Sequence, residues 1–132
     1  MSTKSFIINL PIITGDQDRR RLRKSFSFGC NLQNAVMGGG WDRVLKMRAT
    51  AEWQTARAMP KSSERTKAFR DLRVRFRLNE YDFHADVAKH RKASGRGHLL
   101  GINECQKLAS RAWISVERHL YNGGSPRFIS SR

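Results

Sequence analysis

A formal net charge of +15 on 132 residues constrains this chain more than any other feature of its sequence. Lysine and arginine number 26 against 11 acidic residues, so repulsion between like charges opposes compaction. A polyanion would relieve that repulsion, and nucleic acid is the usual polyanion for such proteins. We therefore favour RNA and/or DNA as the partner over a merely soluble basic protein. An anionic membrane surface is a weaker competitor.

Other properties exclude whole classes of protein. A content of 39% hydrophobic residues, with three tryptophans and seven phenylalanines, is too apolar for a fully disordered chain. The sequence has no 18-residue apolar run and no signal peptide, which predicts a cytoplasmic protein without a membrane span. Cys30 and Cys105 have no second cysteine or histidine at zinc-ligand spacing, so we expect two buried thiols and no metal.

The pattern of apolar residues predicts a mainly α-helical fold. Residues 6–13 look like a strand interrupted by Pro11, and the residues after Pro126 look extended again. Thr14 and Gln17 have capping-box spacing for a first helix, and the glycines at 38–40 predict a flexible break. The predicted organisation is an N-terminal strand over 1–14, a helical lobe over 15–122 and a returning strand over 123–132.

Four further helices are predicted within the helical lobe. Trp41, Leu45, Ala49 and Trp53 form an apolar stripe in a helix that Pro60 ends. The next helices cover residues 64–78, capped by Ser62 or Ser63, and residues 80–92, capped by Asn79. The clearest helix runs from about His98, with apolar residues at i, i+3 and i+4 spacing: Ile102, Cys105, Ala109, Ala112, Val116 and Leu120.

Basic residues concentrate at two places in this helical pattern. The first helix carries the cluster Arg19, Arg20, Arg21, Arg23 and Lys24. In the helix over 64–78, the helical period places Arg70, Arg73 and Arg77 on adjacent turns, as a ridge of three guanidinium groups. Such a ridge suits phosphates, which arginine can bind bidentately.

No constellation for catalysis is evident, and no catalytic or metal residue or cofactor is predicted. The best candidates for acid–base or metal chemistry are Asp82, Asp86 and His90, which share a helix face. We favour ion pairs with the nearby Lys89 and Arg91 as the explanation of these carboxylates. The glycine groups match neither a Walker motif nor a dinucleotide-binding fingerprint.

The order of these elements resembles the N-terminal part of the TnpB/OrfB family of transposon-encoded RNA-guided nucleases, which is related to type V CRISPR effectors. The resemblance rests on the strand at Phe6–Leu10, the helix start at Thr14–Gln17 and Asn34. It continues in Cys105–Ala112 and in Gly123–Phe128, where Pro126-Arg127-Phe128 is followed by Ile129 instead of the usual lysine. The motifs are short, but together they span nearly the whole chain.

The resemblance implies a helical bundle inserted between short terminal β-strands of a partial wedge-type β-barrel. It implies a module that binds guide RNA and its RNA–DNA duplex by backbone shape, while base pairing supplies sequence specificity. The family's metal-binding carboxylates and Cys-rich zinc element follow the Pro-Arg-Phe segment, so we expect a binding half without nuclease activity. The residues expected to bind nucleic acid are Arg19, Arg20, Arg21, Arg23, Lys24, Arg65, Arg70, Arg73, Arg77, Arg111 and Arg127.

Two alternatives remain open. One is a helical protein-interaction module that docks on an acidic partner or on a separately encoded nuclease subunit. The other is a small enzyme that uses Asp82, Asp86 and His90.

Overall fold

The computed structural model describes residues 15–129, which are mainly α-helical as predicted. The helices are α1 (Asp16–Arg48), α2 (Ala51–Ala58), α3 (Ser63–Arg75), α4 (Glu80–Ser94) and α5 (Ile102–Arg118), with a 3-10 turn at Gly97–Leu99. The predicted N-terminal strand and residues 130–132 lie outside the described residues. No strand forms within 15–129, so the returning strand is absent from residues 123–129.

The glycines at 38–40 do not break α1, and this prediction was wrong. The helix continues for 33 residues, or about 50 Å, through all three glycines. The reason lies at Gly40, where a Cβ atom would come within 2.2 Å of the Phe83 ring of α4. The missing side chain lets two helices approach closely, and packing outweighs the low helix propensity of glycine.

The break occurs instead at Ala49 and Thr50, which divide the helix predicted to end at Pro60. The hydroxyl of Thr50 accepts a hydrogen bond from the backbone N–H of Trp53 and so caps α2. This division also splits the predicted stripe, because Trp53 is buried in the core while Leu45 is half exposed.

Helices α1, α4 and α5 form the body of the molecule. Gly40 of α1 faces Phe83 of α4, while Gly29 of α1 meets Leu100 and Leu108. The Phe83 ring meets Trp113 of α5 edge to face at 5.3 Å. These contacts place α5 parallel to α1 and α4 antiparallel to both. The apolar stripe predicted for α5 is confirmed at Cys105, Ala109, Ala112, Val116 and Leu120, which are buried together with Trp113, whereas Ile102 at the start of the helix is 42% exposed.

The hairpin of α2 and α3 attaches to this body through aromatic side chains. Trp53 stacks on Tyr121 with ring centroids 5.9 Å apart, and Phe69 meets both rings edge-on. The hydroxyl of Ser62 caps α3 as predicted. Helix α3 ends at Arg75, earlier than predicted, and the chain turns through Arg77 with a φ of 57°.

The predictions for α4 and for both cysteines are confirmed. Asn79 and Asp82 form a capping box at the start of α4, and Phe83 is fully buried. Gly95 ends the helix in the left-handed conformation. Both cysteines are buried free thiols, and burial raises the pKa of Cys105. Over residues 15–129, the structure contains no helix long and apolar enough to cross a membrane.

Candidate nucleic-acid interface

The arginines of this chain fall into two groups with different surroundings. Members of the first group are partly buried and donate hydrogen bonds to backbone carbonyls inside the fold. They are Arg43, Arg48, Arg65, Arg73, Arg77 and Arg91. The second group is exposed; four of its members lie close together on the N-terminal half of α1, and the others are dispersed over the molecule. Only the second group is arranged to meet a ligand from solvent.

Arg48 shows how the first group is used. Its guanidinium donates to the carbonyl oxygens of His119, Leu120 and Asn122, just past the end of α5. These carbonyls lie at the negative end of the helix dipole, where a cation is stabilised. Burial, with a smaller effect from Arg57, lowers the pKa of Arg48, but an arginine remains protonated at neutral pH.

The predicted ridge of Arg70, Arg73 and Arg77 does not form. Arg73 donates to the carbonyl of Leu78, and its guanidinium lies 5.3 Å from the centroid of the Trp113 ring. Arg77 lies beyond the end of α3 and pairs with Asp86. Of the three, only Arg70 is exposed on the surface of α3. Sequence spacing predicted a continuous helix, whereas the turn after Arg75 removes Arg77 from it.

The carboxylates proposed for acid–base or metal chemistry are structural. Asp86 is buried between two arginines, with contacts of 2.8 Å to Arg43 and 2.9 Å to Arg77. Asp82 accepts a hydrogen bond from the Asn79 backbone N–H in the capping box. His90 is exposed and contributes to no metal site, and residues 15–129 contain no group of three potential ligands. The enzyme alternative therefore loses its candidate site.

Glu80, His84 and Ser110 form a cluster that sequence reasoning missed. The Ser110 hydroxyl lies 2.9 Å from Nε2 of His84 and donates to Glu80 at 2.6 Å. In a hydrolytic triad the carboxylate would orient the histidine through Nδ1. Here the carboxylate accepts from the serine itself, so the cluster ties α4 to α5 and does not activate a nucleophile.

The exposed basic cluster on α1 divides between faces of the helix. Residues 15–24 are all exposed, and the first buried side chain of α1 is Phe28. At about 100° per residue, Arg20, Arg23 and Lys24 share one face, while Arg19 and Arg21 project to its two flanks. Within residues 15–129, none of these five side chains forms an ion pair.

The face that carries Arg23 and Lys24 forms one wall of an open cleft of about 400 Å³, which we call the basic cleft. The loop between α4 and α5 forms the other wall. The polar residues that line the cleft are Arg23, Lys24, Ser27, Asn31, Arg96 and His98. A second depression shares Asn31 and Arg96 with the basic cleft and extends it to His90 and Ser94.

The loop that supplies Arg96 and His98 is held in place by hydrogen bonds from Arg91 and Ser94. Arg91 donates to the carbonyls of Gly97 at 2.7 Å and Leu100 at 3.2 Å. The Ser94 hydroxyl accepts from the backbone N–H of Arg96 at 3.0 Å. Leu100 also packs against Gly29 of α1, which brings the loop close to that helix. These contacts fix one wall of the basic cleft relative to the other.

The remaining predicted residues are dispersed over the molecule. Arg65 donates to the Ala56 carbonyl at 3.3 Å and lies over the Phe69 ring. Arg111 and Arg127 are exposed, on α5 and in the C-terminal segment. Sequence reasoning missed Arg96, His98 and Asn31 as a group, because only the tertiary fold brings the loop beside α1. The sequence indicates a loop between the helix over residues 80–92 and the helix from about His98, but it does not indicate that this loop lies beside α1.

The basic cleft has the chemistry of an anion-binding site. Its lining offers guanidinium, ammonium, imidazole, hydroxyl and amide groups, and residues 15–129 contribute no carboxylate to it. Comparisons with protein-family models, curated proteins and solved structures gave no match. The argument for function therefore depends on the residues of the cleft.

Proposed function

We propose that this chain is a nucleic-acid-binding module, with RNA preferred, that binds a phosphate backbone in the basic cleft and along the adjoining face of α1. The observation that carries the proposal is a cleft with basic residues on both walls and, within the described part of the chain, no carboxylate in its lining. Elsewhere, arginines such as Arg43 and Arg77 are paired with acidic residues inside the fold. Arg23, Lys24 and Arg96 of the cleft, in contrast, are exposed and form no ion pair within residues 15–129.

The dimensions of this surface suit a strand of nucleic acid. Arg20 and Asn31 lie on the same face of α1, and the 11 residues between them correspond to roughly 16 Å. That length accommodates several consecutive phosphates. The amide of Asn31 is placed to read a base edge, while arginine and lysine contact phosphate and set the register.

The proposal extends to the family resemblance, in which such a module binds guide RNA and an RNA–DNA duplex. Two elements of the resemblance lie together in the fold. The side chain of Asn34 donates to the carbonyl of Ile129 and accepts from its backbone N–H, both at 2.8 Å. Pro126 of the Pro-Arg-Phe segment is buried.

Filter binding across a salt series tests the proposal. The variant Arg23→Ala/Lys24→Ala/Arg96→Ala removes three charges from the cleft. The control variant Arg57→Ala/Lys61→Ala/Arg118→Ala removes the same three charges from exposed positions away from the cleft. Single-stranded RNA, the matching DNA and an RNA–DNA hybrid serve as ligands.

Three lost contacts should reduce the slope of log K against log salt by about 2, since each single-strand phosphate contributes about 0.7. The same arithmetic gives a roughly 100-fold loss of affinity at 0.1 M salt. The control should bind within a few-fold of the unmodified chain. A flat salt response, or an equal loss in both variants, would refute a phosphate-binding cleft. Tighter binding of DNA than of RNA would refute the stated preference.

A further inference from the structure

A second groove lies on the other side of the N-terminal half of α1, and we call it the apolar groove. It encloses about 540 Å³ between α1 and α5. Leu22, Phe26 and Gly29 line it from α1, and Leu108 lines it from α5. Leu100 and Ile129 complete its apolar surface. Charged side chains contribute at its edge, with Glu104 opposed by Lys107 and Arg111.

The groove has no occupant among residues 15–129. Leu22 is 56% exposed and Phe26 is 58% exposed, although their i, i+4 spacing makes them one continuous apolar patch. The patch continues to the side chain of Ile129, which is 37% exposed. Two hydrogen bonds with the Asn34 side chain hold the backbone of Ile129 in place. Contiguous exposed apolar surface of this kind marks a site that another segment covers.

We propose that residues 6–13 of the same chain cover the apolar groove. Six of these eight residues are large and apolar, and none is charged: Phe6, Ile7, Ile8, Leu10, Ile12 and Ile13. Burial of such side chains is worth about 1.5–3 kcal/mol each, whereas a surface position would leave them in water. The groove offers apolar surface of matching chemistry close to the point where this segment joins the helix.

The reach of the segment fits the groove. Gly15 is the N-cap of α1, and Leu22 lies seven residues further on, or about 10 Å along the helix axis. The far end of the groove at Gln33 is about 27 Å from Gly15. The nine residue-to-residue steps from Phe6 to Gly15 span at most about 30 Å. A segment directed back along α1 therefore reaches the whole groove.

Covalent attachment favours this occupant over a separate partner. A tethered segment acts at an effective concentration of about 1 mM or more, without any additional contact. The rim carries both signs of charge, through Glu104 and Arg111, so it does not select a strongly acidic ligand. An uncharged apolar segment suits it better than the acidic partner of the protein-interaction hypothesis.

Photo-crosslinking in the full chain, without nucleic acid, tests this inference independently of RNA binding. Phe26 is replaced by benzoylphenylalanine, a change that an exposed position should tolerate. The matched control places the same probe at Val74, which is 62% exposed on α3. Peptide mapping should find the Phe26 probe joined to residues 6–13 within a species of monomer mass. The Val74 probe should give no such product.

A pair of charge-matched variants then asks whether apolar contact holds the segment. Ile8→Asp/Ile12→Asp should reduce the crosslink yield at least five-fold, because aspartate does not enter an apolar groove without a large cost. Ser5→Asp/Asn9→Asp adds the same charge at polar positions and should reduce the yield by less than two-fold. A Phe26 crosslink to a second copy, to a co-purified protein or to no segment would overturn the proposal. So would equal yields in the two variants.

Discussion

Replacing Gly40 with alanine tests why α1 continues through the three glycines at 38–40. An ideal Cβ at this position lies 2.2 Å from Cζ of Phe83 and 2.9 Å from both Cε atoms. Carbon atoms in favourable contact are about 3.5–4.0 Å apart, so the ring would have to move by more than 1 Å. The ring is fully buried, with Trp113 against its edge and the Arg43 guanidinium 5.6 Å from its centroid.

The magnitude follows from two opposing contributions. Overpacking of a filled core costs about 1–3 kcal/mol, while alanine gains about 1 kcal/mol over glycine in a helix interior. Gly39→Ala provides the matched control, because its Cβ would meet only Arg43 Nη1 at 3.8 Å. The propensity gain is common to both variants. The difference between their free energies of unfolding therefore isolates the steric cost, which we expect to be about 2 kcal/mol.

Urea denaturation followed by circular dichroism at 222 nm measures both variants under the same conditions. Gly40→Ala should unfold at lower urea than the unmodified chain, and Gly39→Ala at the same or higher urea. Thermal melts of the same two variants should differ by about 8 °C in melting temperature, since 1 kcal/mol corresponds to about 4 °C in a domain of this size. Equal stabilities for the two variants would refute the close approach of α1 and α4 as the reason for Gly40.

Two further predictions concern buried groups. Asp86→Asn should cost about 2–3 kcal/mol in urea unfolding, because it leaves Arg43 and Arg77 without their shared buried carboxylate. Asp42 pairs with Lys46 at the surface, where the two side chains are 62% and 70% exposed, so Asp42→Asn should change stability by less than about 0.5 kcal/mol. Equal losses of stability in Asp86→Asn and Asp42→Asn would contradict a structural role for the buried Asp86 carboxylate. The raised pKa of Cys105 predicts that the free energy of unfolding falls above about pH 8.5, where the unfolded thiol ionises and the folded thiol retains its proton. In Cys105→Ser, the free energy of unfolding should decline less between pH 8.5 and 10 than in the unmodified chain. An equal decline in both proteins would contradict the role of the Cys105 thiol.

Local sequence signals predicted the parts of the fold that depend on local chemistry. Ser62 and Asn79 cap helices as their residue types indicate, because a cap is made with neighbours within a few residues. Most of the predicted apolar stripe of α5 is buried in the structure, because a 3.6-residue period places these side chains on one face of the helix. These features need no knowledge of what lies across the core.

The failures arose where a distant residue decides the outcome. The sequence predicts that Gly40 interrupts the helix. In the structure, the ring of Phe83, 43 residues away, packs into the space that a side chain at Gly40 would fill. Arg77 reads as a member of a helical ridge, but Asp86 holds it in a turn with a positive φ. The basic cleft was likewise not predicted, because Arg23 and Arg96 come to line one cleft through tertiary contacts such as that of Leu100 with Gly29.

The distribution of arginines also explains how a chain of charge +15 maintains a compact body. Arg43 donates to the carbonyls of Phe76 and Arg77 at the end of α3, and Arg48 donates to the carbonyls that follow α5. Each guanidinium thus lies at a negative helix end, where about half an elementary charge is available to stabilise it. This arrangement converts part of the repulsive charge into contacts between helices. The total charge therefore overstates the surface available to phosphate. In the basic cleft, Arg23 and Lys24 on one wall lie opposite Arg96 on the other.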